Sequence, residues 1–163
     1  MSPASPLDHI RSWDDARAWR NSLEGHLVFT NGVFDLLHPG HIDVLLGARA
    51  CGDALIVGIN SDESVRRLKG PQRPVRAAAE RAYVLAALAM VDCVTVFAQD
   101  TPLELIQRLE PDVIVKGGDY DPTTVVGAAE TRARGGQVVI IPLTHGHSTT
   151  ATIAKLRTGS SDV

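Results

Sequence analysis

Aromatic side chains are scarce in this sequence: three Phe, two Tyr and two Trp make up 4% of its 163 residues. With alanine, valine and leucine plentiful, the core they leave must be largely aliphatic. Cysteine is scarcer still. Cys51 and Cys93 stand far apart with no C-x-x-C spacing, which argues against a disulfide framework or a cysteine-rich metal site and leaves two reduced, structural thiols as the expectation. No apolar run approaches the ~20 residues of a membrane helix. Met1 to Pro6 lacks the basic-then-apolar layout of a signal peptide, so a cytoplasmic location is expected. Positive charge is not in excess either. A formal net charge of −3 gives no electrostatic case for a nucleic-acid or anionic-membrane partner, and any phosphate binding falls to local basic residues.

What is present is alternation. Five short, β-branched runs, His26–Thr30, Ala54–Asn60, Cys93–Phe97, Val113–Lys116 and Gln137–Ile141, show too little polar alternation for strands exposed on one face. They read as strands of a parallel sheet covered on both sides. Helical patterns fill the gaps. Asp14–Leu23 predicts a short helix ahead of the first strand. Ile42, Leu45 and Leu46 make an i, i+3, i+4 stripe, with Pro39 in the first turn and Gly52 at the stop. Glu80–Ala89 carries Leu85 and Leu88 on one side and Arg81 and Tyr83 elsewhere. Thr101 is expected as an N-cap, with Pro102 in the first turn and Glu104 as its capping-box partner. Ile153 and Leu156 mark a last helix.

Repeated strand-helix-strand units of this size predict an α/β fold, a doubly wound, Rossmann-like, five-stranded parallel sheet in a single domain. Residues 1–24 would be an N-terminal helical extension, 25–157 the domain and 158–163 a frayed tail. Ligands in such sheets bind beyond the carboxyl ends of the strands, where strand order reverses, and every polar cluster below follows a strand end.

The richest segment is Thr30-Asn31-Gly32-Val33-Phe34-Asp35-Leu36-Leu37-His38-Pro39-Gly40-His41. Gly40 permits close backbone approach at a helix start whose free N–H groups favour anions. His38 and His41 can donate hydrogen bonds to a phosphate there, more strongly if protonated. Metal ligation is the weaker alternative, because His-x-x-His has no nearby carboxylate or cysteine partner. Lys69 and Arg73 fall in an expected loop between helices, broken by Gly70 and Pro71. Flexible cations there could close over a triphosphate. Ser148, Thr149 and Thr150 at a helix start can cap the helix, bind phosphate, or do both. Lys116-Gly117-Gly118-Asp119-Tyr120 follows the fourth strand, where the glycines suit a sharp turn. Asp35 could orient the histidine loop or contact a sugar.

These blocks together resemble the H-x-G-H cytidylyltransferase-like nucleotidyltransferases. Asn60-Ser61-Asp62, Arg67 to Gly70, Arg73-Pro74-Val75, Val115 to Tyr120 and Gly146 to Thr150 resemble the heptose 1-phosphate adenylyltransferase branch in order and spacing. The likeness extends from Leu27 to Leu156. It implies transfer of AMP from ATP to D-glycero-D-manno-heptose 1-phosphate, with release of pyrophosphate. His38 and His41 would then be catalytic, assisted by Lys69. Thr30, Asn31, Gly32, Phe34, Gly40, Lys116, Gly117 and Ser148 to Thr150 would join them around the nucleotide. Asp35, Arg73, Gly118, Asp119 and Tyr120 would face the sugar phosphate.

No dedicated metal ligands are implied; Mg2+ would arrive with ATP. The relatives imply a homodimer or higher oligomer and a separate sugar kinase that supplies the substrate. In the glycerol 3-phosphate cytidylyltransferases the late motif begins with an arginine. Leu143-Thr144-His145-Gly146 lacks it, which counts against that alternative and leaves the charge balance at that end open; His145 or His147 could help, with an ordinary loop histidine the favoured reading of each. A non-catalytic nucleotide-binding module is the alternative from another class. A class I aminoacyl-tRNA synthetase fragment is disfavoured by length, by overall acidity and by the missing K-M-S-K-S-like loop.

Overall fold

In the computed structural model of the chain, residues 4–143, 146 and 148–158 are described. The five apolar runs form β1 (Leu27–Gly32), β2 (Ala54–Asn60), β3 (Cys93–Phe97), β4 (Val113–Gly117) and β5 (Gln137–Ile141). All are parallel and lie in the order β3-β2-β1-β4-β5. The expected α/β sheet is therefore present, and the order reverses between β1 and β4. Asn31 and Gly32, expected in the loop, extend β1 because they pair with Gly58 and Ile59 of β2.

The near-continuous hydrophobicity has the expected cause. Among the described residues seven α-helices accompany the sheet: α1 (Trp13–Asn21), α2 (Pro39–Arg49), α3 (Asp62–Lys69), α4 (Ala78–Ala86), α5 (Leu103–Leu109), α6 (Ala128–Ala133) and α7 (Thr149–Thr158). Alternate β2 residues feed two cores. Leu55, Val57 and Ile59 pack with Leu45 and Ala48 of α2 and Ala82, Leu85 and Ala86 of α4. Ala54 and Ile56 pack on the other face with Ala16 of α1, Leu105, Ile106 and Leu109 of α5, and Ala128 of α6. Burial on both faces removes the polar positions that a half-exposed strand would keep. Cys93 is buried and Cys51 partly so, both as free thiols; burial pushes the Cys93 thiol up to about 11.

Residues ahead of β1 pack onto the domain. Ile10 forms a parallel bridge with Val94, and the Trp13 indole donates to the Val96 carbonyl at 2.8 Å. Arg17 and Arg20 pair with Glu110 and Asp112, both at 2.8 Å. The tail expected to fray from 158 falls, after Thr158, outside the described residues. Among the described residues no helix is long and apolar enough to cross a membrane.

Several local expectations change. Lys69 is not in a loop: it is the last residue of α3, a helix the sequence reading passed over. Its signals were present. Ser61 Oγ accepts from the Ser64 amide at 3.2 Å, acids occupy the first turn and cations the last, as the helix dipole favours. α5 begins at Leu103 with Pro102 in the cap position and no side-chain cap, so Thr101 does not cap it. Glu104 instead accepts from the Gln99 side chain at 3.2 Å. Arg81, expected away from the apolar side of its helix, is 1% exposed. It stands four residues before Leu85 and hence on the same face.

α2 ends at Arg49, before Gly52. Gly52 serves packing: a Cβ built there would lie 2.6 Å from Val28 Cγ2 and 2.8 Å from the His26 carbonyl oxygen. A backbone oxygen cannot swing aside. Gly52→Ala should therefore lower stability by about 1–3 kcal/mol, the usual cost of overpacking, measured as a shift in the urea midpoint with unchanged slope.

Candidate active site

The pairing of β1 with β4 covers only Val28–Val113 and Phe29–Ile114. Beyond that point the Thr30 hydroxyl donates to the Val115 carbonyl at 2.9 Å, replacing a ladder bond where the ladder has stopped. A cavity of about 340 Å³ lies beyond these strand ends, where a doubly wound sheet places its ligands.

Its floor comes from β1 and the segment after it, with Thr30, Asn31, Gly32, Phe34, Asp35, His38, Gly40 and His41 on the wall. Phe34 adopts a left-handed φ of 49°, strained for a bulky residue and of the kind that concentrates at functional sites. That turn places its ring against Gly32, where a Cβ would lie 2.9 Å from Phe34 Cε2. The ring also lies 5.1 Å from the His41 ring. His38 caps α2 through its backbone, accepting the His41 amide at 2.9 Å, so both imidazoles rise from the amino end of one helix. Their rings stack at 3.8 Å with 22° between planes.

Burial, and then the charge of His38, lowers the His41 pKa to about 4. Near neutrality His41 is thus a neutral imidazole with one N–H to give. The stronger, protonated donor considered from sequence is not the state of the free protein at this position. Among the described residues no partner accepts or donates at the buried Nδ1 of His41.

Asp35 is buried, its side chain 0% exposed. It accepts from Arg73 Nε at 2.7 Å, from the Val75 amide at 2.8 Å and from the Arg76 amide at 2.9 Å. Burial alone would raise this carboxyl, but the Arg76 and Val75 amides and the Arg73 guanidinium outweigh it and hold it below the usual carboxylate range. A carboxylate so engaged has no surface for a sugar. Its contribution is to tie the 73–76 segment to the histidine loop.

A second buried charge does the same from the other side. Arg81 donates to the carbonyls of Val33, Asn60 and Arg76 at 2.7, 2.8 and 3.0 Å, and to Asp62 Oδ1 at 2.8 Å. Asp62 Oδ1 also accepts the Ala78 amide at 2.9 Å. This positioning residue was missed from sequence; its spacing from Leu85 was the available signal.

Lys69, Arg73, Lys116, Gly117 and Tyr120 also line the cavity. Burial lowers the Lys116 pKa, and its Nζ stands 5.9 Å from the Tyr120 ring centroid, within cation–π range. Gly117 is required by packing, since a Cβ would lie 2.5 Å from Val44 Cγ2. Gly118, with φ 121°, makes the turn. Gly118 and Asp119 are not on the cavity wall, and Asp119 points to solvent.

At the far side stand Ser148, Thr149 and Thr150. Ser148 Oγ accepts the Ala151 amide at 2.9 Å and caps α7, while Thr149 Oγ1 donates to the Leu36 carbonyl at 2.9 Å. Capping and loop attachment therefore occupy two of the three hydroxyls, as the bond to β4 occupies that of Thr30. Thr150 retains its hydroxyl at the wall. Thr144, His145 and His147 lie outside the described residues. Among the described residues no group of three or more His, Cys, Asp or Glu could hold a metal ion.

The sequence matches the family described as Cytidylyltransferase-like over residues 29–155. It is 60% identical over 131 residues to the Bifunctional protein HldE of Hyphomonas neptunium, spanning 80% of this chain and 27% of that protein. The Bifunctional protein HldE of Acidiphilium cryptum is 56% identical over 141 residues, spanning 86% of this chain and 28% of the relative. The chain thus matches little more than a quarter of the length of these relatives. Among solved structures, a lipopolysaccharide core biosynthesis protein from Thermoplasma volcanium superposes with a TM-score of 0.61 at 26% identity, covering 74% of this chain and 98% of that one. Pantoate-beta-alanine ligase from Francisella tularensis gives 0.62 at 17% identity over 83% of this chain and 67% of its own, a likeness of fold.

Two outcomes follow from the site's electrostatics. In nuclear magnetic resonance titrations of the free protein, His41 should titrate near pH 4. Its folded pKa lies below the unfolded 6.5, so the unfolded chain takes up the proton first. Stability should fall as pH drops from about 6.5 to 4 and show no further His41 contribution below that; His41→Gln should flatten this part of the profile. Asp35→Ala, which strands Arg73 and two amides, should cost about 3–5 kcal/mol, measured by chemical denaturation.

Proposed function

The chain belongs to the cytidylyltransferase-like family, and on that basis we propose that it transfers AMP from ATP to D-glycero-D-manno-heptose 1-phosphate, releasing pyrophosphate. The observation that carries this reading is the convergence of His38, His41, Lys69, Arg73, Lys116 and Thr150 on one cavity at the switch point of the sheet. The choice of a heptose acceptor is supported by the identity to Bifunctional protein HldE and by the fold neighbour named for lipopolysaccharide core biosynthesis.

The reaction needs no nucleophile from the protein. An acceptor phosphate oxygen attacks the α-phosphorus in line; a bond from that oxygen to phosphorus forms, the bond to the bridging oxygen breaks, and that oxygen leaves with pyrophosphate. Catalysis is then positioning plus stabilisation of developing charge. The imidazoles at the start of α2 supply polar donors beside the free N–H groups of the helix. Lys69 and Lys116 supply positive charge, and Arg73, held by Asp35, adds a guanidinium edge. Tyr120, 52% exposed at the wall, offers an apolar face to the acceptor.

Magnesium would enter with the triphosphate and neutralise charge on the leaving pyrophosphate. Its protein ligands would be few, since Asp35, the carboxylate on the cavity wall, is already bonded. The sugar phosphate would come from a separate kinase, and the enzyme would act in the cytoplasm as a homodimer or larger oligomer.

The test is pyrophosphate release with magnesium, pairing ATP or CTP with heptose 1-phosphate or glycerol 3-phosphate. Turnover is expected with ATP and the heptose; turnover only with CTP and glycerol 3-phosphate would replace the substrate assignment. His41→Ala should lower kcat about a hundredfold, on the order of 3 kcal/mol of barrier, with the fold intact by circular dichroism.

A further inference from the structure

A second cavity, of about 570 Å³, adjoins the first and shares Lys69, Arg73 and Thr150 with it. Its remaining wall is the Gly70–Gln72 turn and α7 residues as far as Arg157 and Thr158. Two features set it apart. Three cations, Lys69, Arg73 and Arg157, line it with no carboxylate among its described residues, although acids outnumber bases in the whole chain, 19 to 16. Moreover, the Arg157 guanidinium donates to the Gln72 side-chain oxygen, so the last turn of α7 reaches across to the turn that follows Lys69.

The arrangement is directional. Thr150 and Ile153 lie three residues apart on α7 and Arg157 four further on, one helical stripe that runs from the first cavity along the second. No ion pair engages Lys69 or Arg157 among the described residues, and Arg73 spends only its Nε on Asp35. Lys69 and Arg157 thus stand beside a guanidinium whose one counter-charge, Asp35, is buried behind it, and the net charge facing the cleft is positive. A ligand with several closely spaced negative oxygens complements that charge.

Resting on the nucleotidyltransferase reading, we propose that this second cleft seats the outer phosphates of the triphosphate and then the released pyrophosphate, with Arg157 as a binding residue for them. The two cavities divide the nucleotide: the reacting phosphorus stays with the histidines, and the leaving group extends between Lys69 and α7. The bridge from Arg157 to Gln72 gives way as the guanidinium turns to phosphate.

The experiment is isothermal titration of inorganic pyrophosphate and, separately, AMP into the full chain and into Arg157→Gln and Arg157→Lys. Arg157 is exposed at the surface, so the fold should tolerate both changes, checked by an unshifted thermal midpoint. Loss of one charge-assisted contact should weaken pyrophosphate binding about tenfold in Arg157→Gln. AMP, which lacks the outer phosphates, should bind as before, and Arg157→Lys should restore most of the affinity. Equal pyrophosphate affinity in wild type and Arg157→Gln would overturn the inference, as would a parallel loss of AMP binding. Turnover of ATP with heptose 1-phosphate by the same wild-type preparation reports on the underlying function independently.

Discussion

Two buried charges of opposite sign hold this site together. Asp35, with no exposed side-chain surface, and Arg81, 1% exposed, each engage backbone groups of the 73–78 region or its neighbours, from opposite sides. Burying an ion costs several kcal/mol unless its hydrogen-bonding capacity is filled, and both are filled here largely by backbone. The benefit is geometric. The histidine loop, the end of β2, the start of α3 and the 73–76 segment become one rigid assembly. Lys69 and Arg73 can face the imidazoles only because their backbone is fixed in this way.

The site also shows how few polar groups are left to a ligand once the scaffold has taken its share. Thr30 closes the gap between β1 and β4, Ser148 caps α7 and Thr149 fastens α7 to Leu36. These contacts set the width of the crevice. Among the described residues, those that still offer polar groups at the cavity wall include Asn31, His41, Lys69, Lys116, Tyr120, Thr150 and part of the Arg73 guanidinium. That set suits phosphate and has little in it to bind a bare metal.

Much of this was legible in the sequence because two-sided burial leaves a strong mark on strands: all five were read with ends displaced by two residues or fewer. The cluster from Thr30 to His41 was legible because strand, glycine and helix start fall in succession. α3 is less legible because Gly70 and Pro71 follow Lys69 directly and draw that residue into the expected loop, although Ser61 and the charge gradient along Asp62–Lys69 mark a helix. Arg81 is hidden from a sequence reading because a charged residue is expected outside, and only the carbonyls that converge on it explain its burial. Asp35 has a similar lesson. Its place in the motif was visible, but its partners at Arg73, Val75 and Arg76 lie some forty residues on, and no local pattern reveals such a contact. Gly118 and Asp119 follow a wall-lining pair in sequence yet turn away from the cavity, since the left-handed φ of Gly118 redirects the chain.

His41 has one more consequence. A polyanion beside an imidazole favours its cationic form, so a phosphate ligand next to His41 raises the affinity for a proton that burial lowers. Binding and proton uptake are then reciprocally linked. Acidification weakens the fold at this residue and favours an anionic ligand beside it, two opposite demands met by one side chain.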